Sequence, residues 1–217
     1  MANLQRQYRA RLTDPRFKEG IRQSLYDTLV FDSGVTQRLQ FFAVQAGQSG
    51  KTKADTNMEL AGTLPAGHKF VAEALEIHVY PGSNAGAYVR QDPVRQNAAV
   101  AVPQFANDVH ALGEAGWVEV QIGTKTYLIE APLNRFPPSA GLIVTPAVEQ
   151  NLAVAAAQTV SVDYARFGGR PYLLIPNLPI EGQTAFSVSI NWPAPFALPS
   201  GFDAKIKVVL PGVYFRN

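Results

Sequence analysis

The chain has 217 residues, 47% of them apolar and only 17% charged, with 17 Gly, 16 Pro and no Cys. That length can bury a core without staples, and the lack of Cys excludes disulfides, thiolate metal sites and cysteine nucleophiles together. The net charge of +2 is unevenly placed, because residues 1–25 hold Arg6, Arg9, Arg11, Arg16, Lys18 and Arg22 against Asp14 and Glu19, a segment of +4.

In chain order, Asp14-Pro15 reads as a helix cap followed by Pro at the first helical position, and Phe17, Ile21 and Leu25 recur every four residues. The expected element is a short basic amphipathic helix, weakened by Gly20 and in need of a surface to lie on. From residue 36 the pattern changes to short β-rich runs: 37–44, 56–61, 69–80, 117–122, 125–131, 158–164, 171–175, 184–192 and 204–215. Alternation is clearest where Phe186, Val188, Ile190 and Trp192 oppose Ser187, Ser189 and Asn191. Gly123-Thr124 predicts a tight hairpin between two runs. Phe105, Val109 and Leu112 predict one helix between Pro103 and Gly113, whereas 147–157 suits either a helix or a strand. Many short strands and little helix point to an antiparallel sandwich or barrel. No apolar run is long enough to span a bilayer and no secretory core region opens the chain, so it is expected to be soluble and to fold where it is made.

Motifs for chemistry are weak. Gly47-Gln48-Ser49-Gly50-Lys51-Thr52 ends like a phosphate-binding loop, but Gln45 stands where the first Gly belongs and no strand–helix–strand unit surrounds it. Glu76 and His78 share a strand face with His68 at the start of the same run, yet His68, His78 and His110 include no close pair of the kind a cupin-like metal enzyme uses. There is no Gly-x-Ser-x-Gly elbow, and Glu119 and Glu130 read as solvent-facing strand residues rather than a catalytic carboxylate pair. Phe41, Phe42, Trp117, Phe186 and Trp192 lie on apolar faces and read as core rather than as a sugar-stacking row.

Three stretches, TNMELAGTLPAGHKF at 56–70, GTKTYLIEAPLNRFPP at 123–138 and FSVSINWPAPFALPSGFDAKIKVVLPGVYFRN at 186–217, together resemble the major capsid proteins of small tailless icosahedral bacteriophages. The resemblance implies an all-β, antiparallel jelly-roll sandwich with a short N-terminal helix: a basic arm at 1–35 and a capsid domain at 36–217. A single roll fits the strand number best, with a compact double roll as the alternative. It further implies a structural coat protein of the virion, assembled in the host cytoplasm, with no enzymatic activity and no cofactor. Its partners would be copies of itself and other capsid proteins. Arg6, Arg9, Arg11, Arg16, Lys18 and Arg22 would face inward, toward packaged nucleic acid or an internal membrane. Phe17, Ile21, Leu25, Phe215 and Arg216 are the expected assembly contacts, and removal of residues 1–25 is expected to leave a folded subunit. A carbohydrate-binding β-sandwich module and a minor vertex or spike protein of the virion are the rival expectations.

Overall fold

The computed structural model describes residues 16–83, 105–136, 139–151, 158–169 and 171–217. It is mostly β. One sheet contains β1 (Glu19–Arg22), β2 (Leu25–Phe31), β4 (Lys69–Ser83), β9 (Tyr172–Glu181), β11 (Asp203–Leu210) and β12 (Gly212–Arg216); a second contains β3 (Arg38–Phe41), β5 (Trp117–Ile122), β6 (Lys125–Glu130) and β10 (Phe186–Asn191). All their pairings are antiparallel. A third pair, β7 (Ser139–Asn151) and β8 (Gln158–Gly169), forms a long hairpin of its own between β6 and β9. The helix predicted around Phe105 and Leu112 is α1 (Phe105–Ala115).

The first sheet has four rows rather than six, because β1 and β2 make one interrupted row and β11 and β12 another. Both halves of each row pair in sequence along the same neighbour, giving the order β1/β2, β11/β12, β4, β9. The second sheet runs β3, β10, β5, β6. The interruption is written in the sequence as Leu210-Pro211-Gly212, in the middle of what periodicity predicts as one strand. Pro211 has no N–H for the ladder, and its carbonyl accepts from both Glu73 N (2.8 Å) and Ala74 N (3.3 Å). Two successive amides on one acceptor make a bulge, which also shifts the inward phase of β4 from Phe70 and Ala72 to Leu75, Ile77 and Val79. The added bend curls this sheet into a half-barrel.

The two sheets share one core. Phe31 of the first meets Trp192, just past β10, edge-on at 4.8 Å, and Phe42 meets Phe186 at 5.4 Å. Ile206 and Val208 of the first sheet belong to the same buried cluster as Val118, Val120, Val188 and Ile190 of the second. Each such side chain contributes about 1.5–3 kcal/mol by leaving water. Trp192 also ties α1 to the core by donating from Nε1 to the Leu112 carbonyl at 3.4 Å. A Cβ at Gly116 would lie 2.8 Å from that same Nε1 and 2.6 Å from Leu133 Cδ1, so a larger residue there would push both side chains aside.

Several expectations are corrected. Residues 16–25 are not helical, because Glu19–Arg22 pairs with β12 and Leu25 opens β2. The spacing that suggested a helix is a multiple of two as well as about one helical turn, so Phe17, Ile21 and Leu25 satisfy strand periodicity equally. With a β12 edge available and Gly20 weakening the helix, the ladder wins. The boundary at 35 therefore separates two strands of one folded body. The segment 56–61 forms no strand either, only an isolated bridge between Leu60 and Thr63. Of the ambiguous 147–157 segment, 147–151 continues β7, and 152–157 lies outside the described residues.

Candidate functional site

Of the cations and apolar residues singled out in the N-terminal segment, those described make contacts mostly within the subunit. Arg6, Arg9 and Arg11 lie outside the described residues. Arg16 approaches Glu181 at 3.9 Å and Arg22 approaches Glu73 at 3.4 Å, while Lys18 is exposed. Arg216 donates from Nε to Glu19 at 2.7 Å, across the β1–β12 pair. Phe17 stacks on Phe215 at 5.7 Å, Ile21 packs against the core, and Leu25 and Phe215 are buried. Leu25, on β2 beside Leu210 of β11, and Phe215, on β12 beside Gly20 of β1, are thus covered within the subunit rather than offered to a neighbour.

This revises the truncation expectation. Removing residues 1–25 deletes β1 together with the burial of Ile21 and Leu25, and is expected to cost several kcal/mol at about 1.5–3 kcal/mol per buried side chain. Removing residues 1–15 keeps every contact named above. Chemical denaturation of the two truncated chains checks this, since equal midpoints would contradict the strand assignment.

The histidines pair locally. His68 Nδ1 lies 2.7 Å from the Tyr214 hydroxyl, whose pKa is pushed up to about 12 by burial first and by the charge of Glu59 second. His78 Nε2 lies 2.9 Å from Glu76, and His110 sits one turn from Glu114 at 3.4 Å. Among the described residues no three metal-ligating side chains converge. The loop at 47–52 uses its lysine internally: Lys51 Nζ reaches the carboxylate of Asp27 at 2.5 Å. Asp27 alternates with Leu25, Leu29 and Phe31 on the core-facing side of β2 and is fully buried. It also accepts from Phe42 N at 2.6 Å and Thr28 N at 3.0 Å. Burial pushes its carboxyl above the usual range, against the downward pull of Lys51 and the two amides. Asp27 was legible as a lone charge in an apolar phase, and no functional motif pointed to it.

The open strand edges with exposed apolar side chains are at the other side of the sandwich. β6 and β9 are the last rows of their sheets, and among the described residues neither pairs on its outer side. They carry four of the seven large apolar side chains exposed among the described residues: Tyr127 (49%), Ile129 (67%), Leu173 (64%) and Ile175 (86%). Glu130 joins the two strands. It accepts from the Tyr172 hydroxyl at 3.1 Å and forms an ion pair with Arg135, whose guanidinium lies over the Tyr172 ring at 5.8 Å. Phe136 packs on that ring at 4.6 Å. Burial, and then the Glu130 charge, raises the Tyr172 pKa, so the hydroxyl stays a donor. Glu130 is therefore the bridge of this edge rather than a simple solvent-facing residue. In the sequence the signal is the unbroken triples Tyr127-Leu128-Ile129 and Leu173-Leu174-Ile175, where a half-buried strand would alternate.

No protein-family model matches the chain, and no curated protein matches it significantly.

Proposed function

We propose that the chain is a structural coat subunit, a single jelly roll that assembles with copies of itself into a closed icosahedral shell around a viral genome. The observation that carries this is the concentration of exposed apolar side chains on the two open edge strands β6 and β9, held in fixed relation by Glu130 and Tyr172. Exposed apolar residues scattered singly need no explanation, but an outward apolar pair on each of two adjoining edge strands supports a contact surface there.

Strand order supports the same reading. If the eight rows of the two sheets are numbered along the chain, the β7–β8 hairpin left aside, rows 1 and 8, 2 and 7, 3 and 6, and 4 and 5 are hydrogen-bonded neighbours. These are the rungs of one long hairpin rolled on itself, and the rolling sets 8 beside 3 and 7 beside 4, as in a jelly roll. Pro176 and Pro179 on β9 supply no N–H to a further ladder, so a neighbouring subunit meets the side chains of Leu173 and Ile175 rather than extending the sheet. The prolines thus guard the β9 edge against open-ended sheet extension. In this scheme Arg6, Arg9 and Arg11 precede the first strand as the basic segment that meets packaged nucleic acid or an internal membrane.

The test is the paired substitution Ile129→Asp and Ile175→Asp. Both side chains are exposed in the subunit, so the expected change in its thermal stability is within about 0.5 kcal/mol. Particle formation, followed by light scattering and negative-stain microscopy, is expected to be lost. Normal particles from the double variant would remove this edge from the assembly scheme.

A further inference from the structure

The outer face of the second sheet holds a cleft of about 360 Å³, lined by residues other than those of the proposed assembly edge. Its position follows from strand parity. Phe186, Val188 and Ile190 point into the core, so Ser187 points out, beside Gln121 of β5, its register partner. Gln40 projects from β3 on the other flank, where it pairs with Ser189. Two glutamines thus stand about 12 Å apart, two strand spacings across and two residues along, over a floor of serine and alanine. Ala43, Ala185 and the turn bearing Thr63 close one end.

That end is fixed by backbone bonds. Gly62 N donates to the Phe42 carbonyl at 2.7 Å, and the Gly62 carbonyl accepts from Phe186 N at 2.8 Å. Gly123 N donates to the Ala185 carbonyl at 2.7 Å on the adjoining turn. Gly62 has a φ of +66°, the left-handed conformation that glycine adopts without strain, so the turn is specified by its sequence. A cleft formed in advance loses less entropy when a ligand enters.

Its chemistry selects the ligand class. No ionisable side chain lines the cleft, so a charged ligand would shed water without gaining a counter-charge. An apolar ligand would strip water from two primary amides and two hydroxyls without replacing it. Amides and hydroxyls both donate and accept, as do the hydroxyls of a sugar. Among the described residues no hydrogen bond engages the side chains of Gln40, Thr63, Gln121 or Ser187. The volume is in the range of small-ligand sites, roughly 300–1,000 Å³. We infer that this cleft binds a neutral sugar unit, with Gln40 and Gln121 gripping its hydroxyls from the two sides and Ser187 and Thr63 completing the set.

The experiment is saturation-transfer NMR and calorimetric titration of the full-length protein. The probes are methyl glucoside, methyl galactoside, methyl mannoside and N-acetylglucosamine, with glucose 6-phosphate and sialic acid as charged comparators. At least one neutral sugar is expected to bind saturably in the millimolar range and to bind more tightly than both charged sugars. The Gln40→Ala/Gln121→Ala variant is expected to weaken it about tenfold or more. Ala185→Trp, which fills the cleft from an exposed position, is expected to abolish it. The inference is overturned if no neutral sugar saturates, if the charged sugars bind as well, or if binding survives Ala185→Trp in a protein that melts normally. The assembly edge lies on β6 and β9, so loss of particles in the edge variant leaves this result unaffected.

Discussion

Replacing Asp27 with Ala is expected to lower the unfolding free energy by about 3–5 kcal/mol, the cost of removing one partner from a buried ion pair. Two losses add up at this position. Lys51, only 11% exposed, is left without its carboxylate in a poorly solvated site. The amides of Phe42 and Thr28 lose their acceptor as well. Phe42 has a φ of +67°, unusual for a bulky residue, and the hydrogen bond its N–H donates to Asp27 helps hold the chain there while the ring packs on Phe186. The carboxylate thus fixes the start of the long loop between β3 and β4. Lys51→Met in the same background is expected to recover part of the loss, because it removes the stranded charge but restores neither amide acceptor. Denaturant titration of the two single variants and the double variant measures this coupling. Strict additivity would mean that the pair does not act as a pair.

Gly212→Ala is expected to be costly for a steric reason. A Cβ there would lie 2.1 Å from the Val71 carbonyl oxygen and 2.7 Å from Phe70 Cζ. The ring can turn aside, but the carbonyl belongs to the β4 backbone and moves only with the strand. Overpacking of this kind costs about 1–3 kcal/mol, and more where the backbone must shift. Gly212 also begins β12 directly after the Pro211 bulge, so its displacement disturbs the row that carries Val213, Tyr214 and Phe215. Adding Phe70→Leu relieves only the ring contact and is expected not to restore stability. Thermal melting of both variants checks this, and a Gly212→Ala chain as stable as the parent would show that the two rows do not approach so closely.

How much of this was legible in the sequence depended on whether a signal was local. The period-two alternation at 186–192 identified β10 and its buried face, and Gly123-Thr124 located the β5–β6 hairpin, because both depend on neighbouring residues alone. Phe105, Val109 and Leu112 likewise specified α1. The Phe17, Ile21 and Leu25 spacing was ambiguous in itself, since every fourth residue lies on one side of a helix and of a strand alike. Only the β12 edge, nearly two hundred residues away in sequence, decides between them. Pro211 was visible as a breaker, but periodicity on both sides concealed that the row bends there. The contacts at β6 and β9 depend on which strands end up outermost, and pairing order is a property of the whole chain rather than of any window. Lys51 shows the reverse case: a familiar loop pattern suggested phosphate, and the fold supplied Asp27.

Electron microscopy of the purified full-length chain, with its mass in solution measured by light scattering, tests the central claim most directly. Uniform closed particles built from 23.5 kDa subunits are the predicted result. A chain that stays monomeric across the concentrations and salt conditions at which shells form would contradict it.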